Sequence, residues 1–271
     1  MRKKFSLRKI VISSVALVAL LLLFMFTALY FFQEKLLFRP DVLAKDQVFT
    51  FPDEFEEVYI PLDDNVKLHG LLFKAQNPKG LVFYLHGNGG SLDGWGNIAG
   101  TFTNSGYDLF MLDYRGYGKS GGHIESEEQM HKDISTAYSM VTKGYNENDI
   151  IVVGYSIGTG FAAHLAEGKD IKALILQAPY YSMSALIADK VPVVPEFVKR
   201  YKIATNKYLE KVTAPIYIFH GTDDRLIPYE NAVKLQAYIN NRVKLIPLPN
   251  TGHLINEYSP GYIENLKMIL K

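Results

Sequence analysis

A serine between two glycines, Gly154-Tyr155-Ser156-Ile157-Gly158, follows the apolar run Ile150-Ile151-Val152-Val153 without a break. The run reads as a buried strand, and Phe161, Ala162, Ala163 and Leu165 carry on beyond the serine as a helix. Together they have the sequence form of a nucleophile elbow, a sharp strand-to-helix turn that presents a side-chain hydroxyl at the edge of a sheet. Such a turn holds the serine in strained backbone geometry, so a side chain at Gly154 or Gly158 would collide with neighbouring backbone. G-x-S-x-G by itself is common by chance, and the strand-turn-helix setting gives it its weight.

Around the elbow, apolar runs predict strands at 58–60, 68–73, 81–85, 109–112, 150–153, 174–176, 216–219 and 243–246. Helical patterns at 95–103, 127–141, 157–166, 231–238 and 262–270 separate the later runs, the βαβ signature of a mostly parallel sheet covered on both faces. The first strands have no helix between them and are expected to pair antiparallel. The one long connection, 179–215, reads as a cap insertion, because structureless loops of that length are uncommon unless they act as lids or binding loops.

The 271 residues are 48% hydrophobic and 21% charged, as expected of one globular domain. A net charge of +1 gives no electrostatic footprint for nucleic acid, which is excluded as a partner. With no cysteine, the chain has no disulfide, thiol nucleophile or thiolate metal site. His69, His123, His131 and His164 share no ligand spacing, so no metal site is read.

The start of the chain differs from the rest. Residues 10–32 carry no charge and are long enough to cross a bilayer core. Arg2, Lys3, Lys4, Arg8 and Lys9 precede them, a bias that keeps the N-terminus cytoplasmic and sends the remainder across. The stretch is longer than a signal-peptide core and lacks an A-x-A-like cleavage site, so it reads as a transmembrane signal anchor. The expected organisation is a basic segment 1–9, the anchor 10–32, a linker 33–56 and a catalytic domain 57–271 containing the cap insertion 179–215.

A serine hydroxyl is a poor nucleophile until an imidazole removes its proton. His253, in Asn250-Thr251-Gly252-His253 after the last strand, has the required position in the order Ser, Asp, His. Asp224, directly after the strand 216–219, can orient that imidazole, although spacing alone leaves its neighbour Asp223 as a rival. For the oxyanion, the expected donors are the amides of Ile157 and of Asn88, with Gly89 second, in His86-Gly87-Asn88-Gly89-Gly90. A dinucleotide site fails on the same glycines because Leu92 stands where G-x-G-x-x-G needs glycine. His86 and His220 each end a strand and read as supports for turns. Asp113 and Arg115 read as shaping the loop after their strand.

These motifs, with Glu34-Lys35-Leu36-Leu37-Phe38-Arg39-Pro40 and Asp113-Tyr114-Arg115-Gly116-Tyr117-Gly118-Lys119-Ser120, resemble the α/β-hydrolases, and within them the membrane-anchored Bem46-like group. The likeness runs from about Glu34 to the end. It implies an α/β-hydrolase fold with a mostly parallel eight-stranded sheet flanked by helices, a small helical cap and the N-terminal transmembrane helix. The family pattern G-x-x-D-x-x-[IV]-P over Gly221 to Pro228 puts the acid at Asp224, and Gly89 departs from the alanine that relatives often carry. The resemblance implies ester or thioester hydrolysis through an acyl-enzyme on Ser156, with no cofactor or metal.

Met183, Leu186 and Ile187, with Val191, Val193, Val194 and Phe197, make the insertion apolar and are expected to bind an acyl chain or to pack the cap. A small-molecule ester or acyl substrate and the membrane are the expected partners, and no oligomeric state is specified. The alternatives are a noncatalytic membrane scaffold, which predicts decay of a triad or oxyanion position, and an acyltransferase using the same triad.

Overall fold

The computed structural model describes residues 7–63, 65–240 and 242–271. Among these, eight strands form one sheet: β1 (Phe55–Pro61), β2 (Lys67–Phe73), β3 (Leu81–Leu85), β4 (Asp108–Asp113), β5 (Ile150–Tyr155), β6 (Ala173–Gln177), β7 (Ile216–Gly221) and β8 (Val243–Leu248). Their order in space is β1-β2-β4-β3-β5-β6-β7-β8. β2 pairs antiparallel with β1 and with β4, and the remaining neighbours are parallel. Where no helix intervenes, as between β1 and β2, the returning strand can only run antiparallel.

The helices are α1 (Leu7–Leu37), α2 (Ala99–Thr103), α3 (Glu127–Val141), α4 (Gly158–Leu165), α5 (Met183–Lys190), α6 (Thr205–Glu210), α7 (Glu230–Tyr238) and α8 (Tyr262–Ile269). The central strands β3 to β6 are buried along their whole length, which is why they read as unbroken apolar runs. Strand alternation still sorts their side chains. Ile150 and Val152 enter a core with Phe161 of α4 and Ile134 of α3, while Ile151 and Val153 enter the opposite core with Phe102 of α2 and Leu266 of α8.

The helix expected at 95–103 is instead three pieces: a helical turn Leu92–Trp95, a 3-10 turn Gly96–Ile98 and then α2. Glycines 94, 96 and 100 weaken a continuous helix. A tertiary contact also selects Gly96, because a Cβ there would sit 2.4 Å from the Phe51 ring.

α1 is one 31-residue element with a non-helical break at Phe32 (φ −115°, ψ 16°). Its apolar part is unburied and long enough to cross a membrane. Arg8 and Lys9 lie on its first turn; Arg2, Lys3 and Lys4 fall outside the described residues. The turn after the break docks on the insertion. Gln33 Nε2 donates to the Val198 carbonyl at 2.6 Å, Arg200 N–H donates to Gln33 Oε1 at 3.0 Å, and Arg200 pairs with Glu34 at 2.6 Å.

Residues 38–54, expected as linker, lie against the domain. Arg39-Pro40 pairs in parallel with Gly89-Gly90, Val42 bridges Gly118, and buried Phe49 stacks on His69 with ring centroids 5.5 Å apart.

The insertion contains α5, a 3-10 turn Glu196–Val198 and α6. Glu127, first residue of α3, fastens it by accepting from the N–H groups of Lys202 (2.9 Å) and Ile203 (3.1 Å) and from the Tyr208 hydroxyl (2.7 Å). Burial opposes ionisation of Glu127, but its hydrogen bonds, from His131, Tyr208 and the two backbone donors, prevail and hold its pKa down to about 2.

Candidate active site

The elbow forms where β5 ends and α4 begins. Ser156 has φ +52°, the left-handed region that costs an L-residue roughly 1–2 kcal/mol. Its amide donates to the Gln177 carbonyl on β6 at 2.8 Å, and the Thr159 hydroxyl donates to its carbonyl at 2.6 Å. The glycines are there for space. A Cβ on Gly154 would lie 2.5 Å from the Gly158 carbonyl oxygen, and one on Gly158 would lie 2.2 Å from that of Leu85.

Four loops leave the carboxyl edges of neighbouring parallel strands and meet at this serine. β3 and β5 are in register at Leu85 and Gly154, so the loop with Asn88 departs beside the elbow. β7 and β8 are in register at Gly221 and Leu248, so Asp224 and His253 depart together. His253 Nε2 lies 3.0 Å from Ser156 Oγ, and His253 Nδ1 lies 2.7 Å from Asp224 Oδ2. A carboxylate can only accept, so Nδ1 carries the ring proton and Nε2 is left to accept from the serine hydroxyl.

Asp224 is buried and Asp223 exposed, so geometry separates the pair that spacing could not. Asp224 Oδ1 accepts from the N–H groups of Leu226 and Ile227, both at 2.9 Å. Burial pushes its pKa up, yet hydrogen bonds from His220, His253 and Ile227 outweigh that and hold the carboxyl well below the usual range. His220 is fully buried, with Nε2 donating to the Ile227 carbonyl at 2.8 Å, and so supports the turn that carries Asp224.

Ile157 occupies the N-cap position of α4, where an amide has no partner within the helix. Asn88 is held by its carbonyl, 2.8 Å from the Tyr117 hydroxyl, and by its side-chain oxygen, which accepts from Arg39 N–H at 3.1 Å. Gly89 faces open space, so the alanine of relatives would fit there without strain. Asp113 accepts from Leu92 N–H at 3.2 Å, and Arg115 is paired with Asp133, 3.0 Å between Nη2 and Oδ1.

The apolar residues of the insertion, expected to bind an acyl chain or to pack the cap, differ in burial, with Val194 half-buried. Met183 is buried, and Leu186 and Ile187 are half-buried against the core that also contains α4. Val191, Val193 and Phe197 are exposed. A separate cavity of about 580 Å³ opens between the end of α1 and the domain, walled by Phe31, Phe32, Phe38, Pro40, Tyr117 and Ile124 among others.

Tyr155 was not legible as a site residue. Its hydroxyl donates to the His253 carbonyl at 2.7 Å and accepts from Ile255 N–H at 2.9 Å, bracing the histidine loop from the elbow. Burial pushes its phenol up to about 12, so it stays protonated and can donate. The only trace in the sequence is an aromatic residue directly before the serine.

Comparison with known proteins agrees with this architecture. The family model described as serine aminopeptidase, S33, matches residues 76–209, a span that holds Asn88 and Ser156 but ends before Asp224 and His253. The chain is 26% identical over 230 residues to the uncharacterized protein YfhR of Salmonella typhimurium, covering 78% of each. It is 28% identical over 204 residues to the alpha/beta hydrolase domain-containing protein aho-3 of Caenorhabditis elegans, covering 70% of this chain and 57% of that protein. An esterase of Pyrococcus furiosus superposes with a TM-score of 0.68 at 21% identity, covering 86% of this chain and 96% of the other. The fold is the α/β-hydrolase fold, and the matches support the α/β-hydrolase superfamily.

Proposed function

We propose that the chain is a membrane-anchored serine hydrolase, of the Bem46-like kind, that cleaves carboxylic ester or thioester bonds of lipid-like or acylated substrates through an acyl-enzyme. The observation that carries this reading is the relay from Asp224 through His253 to Ser156, at 2.7 and 3.0 Å, on a strained elbow. Ser156 Oγ attacks the substrate carbonyl while His253 Nε2 takes its proton, and Asp224 stabilises the imidazolium. The tetrahedral oxyanion accepts from the Ile157 and Asn88 amides. Collapse breaks the bond to the leaving group, which takes the proton from His253 and departs. Water, deprotonated by the same imidazole, then releases the acid and restores Ser156.

The unburied apolar helix supports a membrane location, with the N-terminus cytoplasmic and the catalytic domain on the opposite side. Substrates presented at a bilayer would suit both this location and the apolar walls of the cavity beside α1.

The test is labelling of the full chain by a fluorophosphonate, with Ser156→Ala as control, followed by p-nitrophenyl esters of increasing chain length. Labelling that is lost in the variant, with an optimum at longer acyl chains, is expected. A folded wild type that neither labels nor turns over esters would leave the scaffold reading. Faster cleavage of aminoacyl p-nitroanilides than of esters would make it a peptidase. Protease digestion on intact cells checks the topology, which a shielded domain would refute.

A further inference from the structure

The loop nominated for the oxyanion is held from behind at successive carbonyls. The Tyr114 hydroxyl donates to the His86 carbonyl at 2.9 Å, His86 Nδ1 to the Gly87 carbonyl at 2.7 Å, the Tyr117 hydroxyl to the Asn88 carbonyl at 2.8 Å, and Trp95 Nε1 to the Gly89 carbonyl at 2.9 Å. Asp41 N–H then donates to the Gly90 carbonyl at 3.1 Å. In a planar trans peptide the N–H points opposite to the C=O of the same unit. Fixing each carbonyl therefore fixes the direction of the next residue's N–H: the bond to the Gly87 carbonyl aims the Asn88 amide, and the Tyr117 bond to the Asn88 carbonyl aims that of Gly89, the second oxyanion candidate.

One of these clamps, from Asp41, belongs to the segment that leaves the membrane helix, and the same segment reaches the Asn88 side chain through Arg39. Arg39 N–H lies 3.1 Å from both Asn88 Oδ1 and the Tyr117 hydroxyl, which itself is 3.2 Å from Asn88 Oδ1. Tyr117 is fully buried, and its ring packs edge-on against Tyr114 with centroids 5.6 Å apart. Burial pushes its phenol far up, which keeps the donor protonated at any working pH.

We propose that Tyr117 is a positioning residue for the oxyanion, its hydroxyl joining Asn88 to the Arg39–Asp41 strap so that the end of the membrane helix helps to aim the loop's amides. This rests on the reading of Ser156 as a nucleophile. It gives a role to the Arg39 backbone, within the motif Glu34 to Pro40 that the triad does not use. Loss of aim acts on the charge that develops in the transition state, so its mark is a fall in kcat with KM held.

The experiment compares full-length wild type with Tyr117→Phe in detergent, using one p-nitrophenyl ester and a trifluoromethyl ketone that forms a tetrahedral adduct with the active serine. The expected result is kcat lower by roughly 10- to 100-fold, less than the 10²–10³ lost when an oxyanion donor is removed outright. KM should stay within about twofold, the ketone should bind more weakly by the same factor as kcat/KM falls, and the midpoint of the kcat–pH profile should not move. Asn88→Ala keeps both backbone groups of residue 88 and loses only the side-chain clamp. It should lower kcat several-fold, and it replaces Tyr117→Phe as the test if that variant does not fold. A folded variant with wild-type kcat, or a loss confined to KM with ketone affinity unchanged, would overturn the inference while leaving the hydrolase reading intact. An inert wild type would overturn both, and is seen before any variant is made.

Discussion

Asp224→Asn should cost far more than its one-atom change suggests, and the structure fixes why. Asn could in principle present either its oxygen or its amide nitrogen to His253. Here the choice is made by the backbone, because the position of Oδ1 receives the N–H groups of Leu226 and Ile227, both at 2.9 Å. An NH₂ group there would face two donors, so the asparagine oxygen must occupy it. The nitrogen is then left at the position of Oδ2, 2.7 Å from His253 Nδ1, where it donates. His253 can accept there only with its proton on Nε2, the tautomer that cannot take the proton of Ser156. Trapping the wrong tautomer costs about 10⁴-fold in kcat, or about 5 kcal/mol of transition-state stabilisation. Hydrolysis of a p-nitrophenyl ester by the purified full chain is the assay, with a thermal midpoint to show that the variant folds. Asp223→Asn, which alters an exposed neighbour, serves as control and should stay within about twofold of wild type. More than about a tenth of wild-type activity in folded Asp224→Asn would refute the tautomer argument.

Gly158→Ala should destabilise by about 3 kcal/mol or prevent folding, because its Cβ would lie 2.2 Å from the Leu85 carbonyl oxygen and 2.7 Å from that of His86, and backbone cannot yield as a side chain can. Urea titration measures it, and a midpoint like wild type would contradict the packing. Tyr155→Phe removes the hydroxyl that joins the elbow to the histidine loop, so we expect about 1–2 kcal/mol less stability and roughly tenfold lower kcat; normal activity at normal stability would show that the brace is idle. For Glu127→Gln the sign follows from a folded pKa held down to about 2, below the ordinary 4.5 of a glutamate: the carboxylate contributes stability above about pH 4.5 and loses it as pH falls toward 2. With its partial exposure discounted, that contribution is on the order of 2 kcal/mol at pH 7. The gap in unfolding free energy between wild type and variant should therefore close on acidification, and a gap constant from pH 7 to pH 3 would rule the linkage out.

What the sequence made legible, and what it hid, divides along a physical line. The strands could be read because a fully buried strand must be apolar throughout, and 150–153 and 216–219 both lie within observed elements. Ser156, Asp224 and His253 could be placed because each follows a strand in a short motif whose glycines answer to local sterics. The supports were hidden because they are contacts between distant segments that leave no periodicity: Tyr155 reaches His253 across 98 positions, and Arg39 reaches Asn88 across 49. The 33–56 segment looked like a tether for the same reason, since pairing of Arg39-Pro40 with Gly89-Gly90 cannot be inferred from a stretch of two residues. Leu186 and Ile187 were ambiguous because residues that pack a cap and residues that line an acyl site have the same composition.

The same line suggests how such a chain can diverge. The reacting groups hang from the carboxyl edge of a sheet whose core residues tolerate little change, and the strained φ of Ser156 is held by bonds to Gln177 and Thr159 within that scaffold. The Asn88 loop and the cap are instead in contact with the end of α1 and the segment after it, through Arg39, Gln33 and Glu34. A change at these last positions leaves Ser156, His253 and Asp224 in place, so its effect should fall on how the oxyanion and the cap are aimed, with the relay itself intact. On the proposed reading the segment after α1 is part of the frame of the site, and a version of the protein that begins after Asp41 should keep the Ser156–His253–Asp224 relay while losing the Arg39 and Asp41 clamps on the Asn88 loop.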